Sequence, residues 1–386
     1  MKILHILPAL TKGGAEKVVV DLANSSSLQG HDVSVLVCYN VDPLLLKNDL
    51  SSTVQFRSIY NKRLPKIFNY TFLVPWIIIN WRWIQKFDVL HCHLSLGAVF
   101  GSLVYIFRTF SLKNNFIIVE TNHSVGMPLG FIQKRAFEIQ SRLRDGYVLM
   151  AKNDKWIDIL VKNKKTLVEF IPNGIELLPK FCDEKEITEF RKSVGIGPNN
   201  VKIIGNIGRL VVERKPLIIL DIFTKIKDEI AESINVNFLI GGEGEEKSTL
   251  QNRINSSNLQ NSIFLPGLIK KPLVAMATMD LYISLNVESV TGIAGIEAAS
   301  QGIPVIAFQM SNDYTENETD WIWSSKDPAI VASKACEILS DYTLSTKISV
   351  AQKEFVEKNF SAKNMAVNYY VFYQKVINTI IMKNIN

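Results

Sequence analysis

Four clusters of residue types in this 386-residue chain could do chemistry, and each follows a short apolar run. The first is Thr11-Lys12-Gly13-Gly14-Ala15-Glu16-Lys17. A glycine pair between a strand and a helix lets a ligand approach the backbone, and a helix N-terminus favours anionic groups. A tight turn wants glycine in any case, so alone this cluster says little. The second is a set of histidines: His91, His93 and His123 all follow expected strands, where ligands gather in open α/β sheets. In His91-Cys92-His93 the two rings share a face only if the strand continues through them. No carboxylate cluster accompanies them, so no metal site is expected. His123, in Glu120-Thr121-Asn122-His123-Ser124, reads equally as a ligand contact and as a hydrogen-bonded loop anchor.

The third cluster, Gly205-Asn206-Ile207-Gly208-Arg209 through Arg214-Lys215-Pro216, places three cations beside two glycines. Phosphate oxygens suit such donors near a flexible backbone. A solvated basic loop is the plainer reading, more apt for Arg214 than for Arg209, which sits among apolar residues. The fourth begins at Glu288-Ser289-Val290-Thr291-Gly292-Ile293 and runs through Glu297 to Gly302-Ile303-Pro304. Amides near Gly292–Gly295 could hold a diphosphate, while Glu297 accepts from a ribose. Gly242-Glu243-Gly244-Glu245-Glu246 lacks the third glycine of a dinucleotide fingerprint, and its carboxylates would repel a pyrophosphate. A nicotinamide enzyme is therefore not expected.

The elements that must position these residues are legible as short apolar runs alternating with amphipathic stretches. Strands are expected at 2–7, 32–38, 88–91, 116–120 and 146–150, and again at 202–205, 236–240, 262–265, 281–284 and 304–307. Helical patterns lie between them, as at 15–28 and 97–107. Such alternation implies parallel sheets covered on both faces. Ile171-Pro172-Asn173-Gly174 is a turn signal followed by a charged segment. The expected division is an α/β pair of doubly wound domains, 1–170 and 171–363, with a helical segment 364–386 packing back across them.

Composition narrows the partners. With 47% hydrophobic and 21% charged residues the chain is an ordinary globular one, not a disordered or fibrous one. The net charge of +6 is uneven: residues 1–170 hold 21 basic and 12 acidic side chains, a net +9, and the remainder holds a net −3. An anionic partner for the first half follows. Cys38, Cys92, Cys182 and Cys336 form no CxxC pair, which fits a reducing compartment. The first ten residues read as a strand rather than a signal peptide, and no run offers the roughly 20 clean apolar residues of a spanning helix. Residues 57–86 mix Arg57, Lys62, Arg63, Lys66, Arg82 and Lys86 with Phe68, Tyr70, Phe72, Trp76, Trp81 and Trp83. That mixture fits a surface meeting anionic lipid, against the plainer reading of a core helix with a solvated flank.

Taken in order, these segments resemble the GT-B glycosyltransferases of family 4, retaining enzymes that use nucleotide sugars and include many lipopolysaccharide, O-antigen and capsule transferases. The resemblance covers essentially the whole chain. It runs through Gly13-Gly14-Ala15-Glu16, Asp88-Val89-Leu90-His91-Cys92-His93, Thr121-Asn122-His123, Pro172-Asn173-Gly174, Gly208-Arg209-Leu210, Gly241-Gly242-Glu243-Gly244, Pro266-Gly267, Gly295-Ile296-Glu297-Ala298-Ala299 and Gly302-Ile303-Pro304. It implies two Rossmann-like domains facing a central cleft, the second binding the nucleotide sugar and the first the acceptor.

The resemblance also implies roles. Arg209 and a cation at Arg214 or Lys215 would stabilise the leaving diphosphate; the family usually has Lys-Gly where this chain has Arg214-Lys215. Glu297 would hold the ribose, Gly13 and Gly14 would approach the donor phosphates, and His123 would contact the transferred sugar. Gly242, Ile269, Glu288, Ser289, Thr291, Gly292 and Ile293 would complete the donor site, and His91, His93 and His123 would meet the acceptor. Counting back from Glu297 by the family's spacing lands on Ser289, with Glu288 one residue earlier. Either the loop holds one extra residue and Glu288 keeps the first glutamate's role, or the sugar site has changed; the dipeptide Glu288-Ser289 favours the former. No metal or other cofactor is implied, positive charge and amides standing in its place. A hexose from a UDP-sugar, favoured over a GDP-sugar, would pass to a lipid-linked or polysaccharide acceptor at the inner face of the plasma membrane. The alternative is a nucleotide-sugar epimerase of the same shape. Nucleic acid is not expected as a partner, because the positive residues are dispersed and match no known motif.

Overall fold

A computed structural model describes residues 1–11, 13–40, 46–62, 65–111, 116–123, 131–150, 157–161, 166–177, 183–197, 201–232, 234–286, 292–310 and 321–385. Runs rich in Val, Ile and Leu form buried strands, as in Asp32-Val33-Ser34-Val35-Leu36-Val37-Cys38-Tyr39, because a strand covered on both faces must be apolar on both. By its contacts the chain divides into two units, Met1–Glu176 with Phe360–Asn386, and Leu177–Asn359. The C-terminal helix Ala362–Ile385 therefore returns to the first unit.

Among the described residues the first unit holds seven strands: β1 Lys2–Leu7, β2 Asp32–Tyr39, β3 Gln55–Tyr60, β4 Val89–His93, β5 Ile117–Thr121, β6 Gly146–Leu149 and β7 Leu167–Phe170. They lie in the order β3-β2-β1-β4-β5-β6-β7, all parallel. The second unit has β8 Lys202–Ile207, β9 Val236–Gly241, β10 Ile263–Gly267, β11 Leu281–Asn286, β12 Val305–Gln309 and β13 Trp323–Ser325, parallel in the order β10-β9-β8-β11-β12-β13. Each sheet reverses its winding once, between β1 and β4 and between β8 and β11. Ligands of open α/β sheets bind at such switch points, beyond the carboxyl ends of the strands.

Three observed strands, β3, β7 and β13, have no counterpart in the expected set, and all three are sheet edges. An edge strand has neighbours on one side only, so its sequence lacks the continuous apolar run that marks a central strand. The central strands differ in the opposite sense. β4, β8, β11 and β12 each run two residues past their expected ends, through His93, Ile207, Asn286 and Gln309. Those extensions hold buried polar side chains, His93, Asn206, Asn286 and Gln309, which the apolar pattern stops short of.

One face of the first sheet packs Leu4, Ile6, Leu36, Leu90, Cys92 and Ile118 against Leu73, Ile77, Phe100 and Val104 of the covering helices. In the second unit Ile204, Phe238, Ile240, Ile283 and Ile306 meet Phe223 and Val331. Each such side chain contributes on the order of 1.5–3 kcal/mol by leaving water. Cys38 and Cys92 are buried free thiols, both pushed up to about 12 by burial, which makes them packing residues rather than nucleophiles.

Candidate functional site

In the second unit the loop after β8 interlocks with the loop after β9. Gly208 N donates to Gly241 O at 2.9 Å, Leu210 N to Glu243 O at 2.9 Å, and Glu246 N to Leu210 O at 2.9 Å. Gly242 has φ +144°, and a side chain there would run into the Gly208 carbonyl. That close approach is a local reason for glycine in Gly242-Glu243-Gly244. Ile269 is buried in the space that a side chain on Gly241 would need.

This packing holds Arg209 exposed at the end of β8, while Arg214 closes the short 3-10 turn Val212–Arg214 and is half-buried. Burial, and after it the positive charge of Arg209, hold the Arg214 guanidinium below its ordinary value. Neither arginine has an ion-pair partner among the described residues. Two cations that repel each other without a counter-charge form a place where an anion is stabilised. Lys215 follows in the left-handed conformation, φ +45° and ψ +50°, a backbone that glycine adopts without strain and lysine does not. Its side chain is exposed.

Tyr282 is the residue that sequence reasoning missed here. It is buried in β11, its hydroxyl donating to Ile207 O at 2.9 Å and receiving Ile207 N at 3.1 Å. The phenol is pushed up mainly by burial and further by the carboxylate of Glu297, with Arg214 acting in the opposite direction. Tyr282 thus braces the end of β8 within electrostatic reach of both charges. Its only signal in the sequence was a hydroxyl inside an apolar run. Gly292 caps the helix Ile293–Ser300, which presents a half-buried Glu297. Glu288, Ser289 and Thr291 lie outside the described residues.

In the first unit Gly13 is the N-cap and Gly14 the first residue of the helix Gly14–Leu28. Glu16 turns back over this end: it accepts from Thr11 Oγ1 at 2.5 Å and occupies the space a side chain on Gly13 would take. The helix thereby places its own carboxylate at its positive end.

Strand β4 does continue through His93, so His91 and His93 share a face, and His5 of β1 pairs in register with His91. His5, His91 and His93 are almost wholly enclosed, at 0%, 0% and 1% exposure. His5 Nδ1 lies 3.1 Å from His93 Nε2, and His93 Nδ1 lies 3.0 Å from His123 Nε2. His91 belongs to a separate network, with Nδ1 2.7 Å from the Tyr373 hydroxyl and Nε2 2.7 Å from Thr121 Oγ1, which itself lies 2.9 Å from the Tyr369 hydroxyl. Both tyrosines come from the C-terminal helix Ala362–Ile385. Burial lowers all four histidines, His5 to about 3, His123 to about 4, and His91 and His93 well below the ordinary value. Ligand atoms of His5, His91 and His93 lie within 4.8 Å of one another, close enough to hold a metal ion. Each of those imidazoles, however, already spends at least one nitrogen on a hydrogen bond within the unit.

The basic and aromatic stretch at 57–86 divides. Trp76, Trp81 and Trp83 are half-buried, and Arg57 lies over Trp76 and Trp83 at 5.3 and 4.8 Å from the ring centroids. Phe68, Tyr70, Phe72, Ile78 and Ile79 are exposed, the last at 82%. No helix among the described residues is long and apolar enough to cross a membrane.

Comparison with known proteins agrees with this geometry. Residues 12–177 match the family described as Glycosyltransferase Family 4, and residues 201–341 that described as Glycosyl transferases group 1. The chain is 24% identical over 318 residues to the 2-deoxystreptamine N-acetyl-D-glucosaminyltransferase of Niallia circulans, covering 78% of this chain and 79% of that one. It is 24% identical over 169 residues to the poly(ribitol-phosphate) alpha-N-acetylglucosaminyltransferase of Staphylococcus aureus, covering 42% of this chain and only 34%, about a third, of that relative's length. Its fold matches that of Anabaena HepE, solved in complex with UDP and glucose, with a TM-score of 0.74 at 15% identity over 97% of this chain and 100% of that one.

Proposed function

The chain belongs to the group 1, family 4 glycosyltransferases with the GT-B fold, and from that premise we propose that it transfers a hexose-type sugar from a UDP-sugar to an anionic, lipid-linked or polysaccharide acceptor, with retention and without a metal. One observation carries this reading: the cations Arg209 and Arg214 after β8, mutually repelling and without an ion-pair partner among the described residues, with Arg214 and Glu297 both within electrostatic reach of Tyr282. As the bond to the leaving diphosphate breaks, negative charge grows on its oxygens. Two guanidiniums stabilise that charge more than they stabilise the ground state, which is what lowers the barrier. Glu297 accepts from the ribose hydroxyls, and Gly242, Ile269, Gly292 and Ile293, with Glu288, Ser289 and Thr291, line the rest of the donor site.

Arg214, rather than Lys215, serves as the second cation. The left-handed backbone at Lys215 is a glycine's place, which puts Arg214 in register with the family's lysine and Lys215 with its glycine. In the first unit Gly13 and Gly14 meet the donor phosphates, His123 meets the transferred sugar, and His91 and His93 support the acceptor side. The exposed Phe68, Phe72, Ile78 and Ile79, with Lys62, Arg82 and Lys86 exposed near them in sequence, support contact with the anionic inner face of the plasma membrane.

The test is nucleotide release from a panel of UDP-, GDP- and dTDP-sugars with crude lipid acceptor. Turnover is expected with a UDP-sugar, and Arg214→Ala should lower kcat by about 100-fold or more, the usual cost of one charge-stabilising donor. Interconversion of a free nucleotide sugar without transfer would replace this reading with an epimerase. An unchanged kcat in Arg214→Ala would remove that residue from the mechanism.

A further inference from the structure

The imidazoles of His5, His93 and His123 form a line, joined by hydrogen bonds of 3.1 and 3.0 Å, that starts in the core and ends at the loop following β5. Both outer nitrogens of the line, His5 Nε2 and His123 Nδ1, are buried and have no hydrogen-bond partner among the described residues. Burial keeps each ring neutral, so each has one N–H and one bare nitrogen. With both internal hydrogen bonds made, only two proton arrangements exist. In one, His5 Nδ1–H donates to His93 Nε2, His93 Nδ1–H donates to His123 Nε2, and His123 presents Nδ1–H. In the other every donor reverses, His123 presents a bare nitrogen, and His5 is left with an N–H enclosed in the core.

Either arrangement leaves one outer N–H without a partner among the described residues, but His123 is only half-buried beside a loop whereas His5 is wholly enclosed in the core, so an N–H stranded at His5 is the costlier of the two. The backbone fixes the place of the middle ring. Leu94, directly after His93, has φ +58°, an outlier for a bulky residue. It turns β4 straight into the helix Leu94–Thr109 with His93 as its N-cap, so no loop residue intervenes to let the ring swing. Strain of this kind concentrates where a group must be held in one orientation. His91, although its ring lies beside that of His93, stays out of the line because Tyr373 and Thr121 take both of its nitrogens.

We infer that His5 and His93 are positioning residues that lock His123 as a neutral hydrogen-bond donor through Nδ1, aimed at an acceptor oxygen of the bound sugar and unable to serve as a base there. The placing of a sugar at His123 rests on the function proposed above; the proton arrangement does not. The line also predicts selectivity for sugars that keep an oxygen at that point over deoxy analogues lacking it.

The test uses the full chain labelled with 15N-histidine, read by long-range proton–nitrogen correlation at neutral pH. The expected result is Nδ1–H with bare Nε2 at His5, His93 and His123 alike. Protonation of His123 at Nε2, or an imidazolium in the line, overturns the inference. So does stoichiometric zinc bound through His5 and His93, tested by adding zinc alone. In turnover, His93→Phe should lower kcat about tenfold, the value of one aligned hydrogen bond, while the KM for the donor changes little. His93→Asn, which keeps an N–H near the Nδ1 position, should restore most of it. Equal losses in the two variants at equal thermal stability would make His93 a packing residue only. If the wild-type chain turns over no nucleotide sugar, the proposed function falls, and the tautomer measurement still decides the line.

Discussion

At the scale of single residues, the arginine pair and the lysine beside it show how backbone conformation assigns chemistry. Arg214 and Lys215 are adjacent cations of similar reach, and sequence alone leaves either free to meet a phosphate. The φ of +45° at Lys215 separates them, since a Cβ in the left-handed region costs about 1–2 kcal/mol. Replacing Lys215 with glycine should relieve that strain and raise the thermal unfolding midpoint of the second unit by about 2–4 °C, read by calorimetry. A fall in the midpoint would show that the lysine side chain makes a compensating contact. Tyr282 teaches the same lesson from the other side: its role comes from a hydroxyl reaching Ile207 on the neighbouring strand, a partner 75 positions away.

Among elements, the C-terminal helix Ala362–Ile385 has the widest consequences, because Tyr369 and Tyr373 complete the network of His91 and Thr121. Burial makes His5, His91, His93 and His123 resist protonation in the folded chain, whereas in the unfolded chain each titrates near 6.5. Below pH 6.5 the unfolded state therefore binds more protons, and stability is lost as pH falls from 6.5 toward about 4. Each histidine contributes about 1.4 kcal/mol per pH unit in that window. Urea denaturation at pH 7.5 and 5.5 should show this loss, and His5→Phe should reduce its slope. A first unit equally stable at both values would mean that the rings are not sealed as described. Strand extension is the second lesson at this scale. Apolar patterning located β4, β8, β11 and β12 but stopped two residues early in each, because hydrophobicity marks burial against helices. Each two-residue extension holds one buried polar side chain, His93, Asn206, Asn286 or Gln309, which breaks the apolar pattern.

For the whole molecule, uneven charge and exposed apolar side chains make the proposed membrane contact testable. In the membrane contact proposed above, the net +9 of residues 1–170 would attract anionic lipid at long range, and the exposed Phe72, Ile78 and Ile79 would supply short-range burial. The chain should sediment with vesicles containing phosphatidylglycerol at low salt and be released as salt rises, and Ile79→Glu should weaken binding several-fold without unfolding the chain. Equal binding to neutral and anionic vesicles would remove the charge from the argument. The tryptophans of this stretch, expected at the surface, are half-buried instead, since Trp76 packs on Phe100, Trp81 on Phe107 and Phe116, and Trp83 on Phe87.

Much was determined by sequence alone: the alternation that makes two parallel sheets, the family to which the ordered motifs belong, and the placing of Gly13, His123 and Arg209 in the segments that follow β1, β5 and β8. These are local properties, because strand burial, turn chemistry and motif order are written in neighbouring residues. Tertiary structure alone decided which of two cations occupies a strained backbone, why Gly242 must be glycine, and that His5 of the first strand joins His93 and His123 in one hydrogen-bonded line. Each of those depends on groups brought within about 3 Å from distant parts of the chain, and a hydrogen bond leaves no periodicity to read.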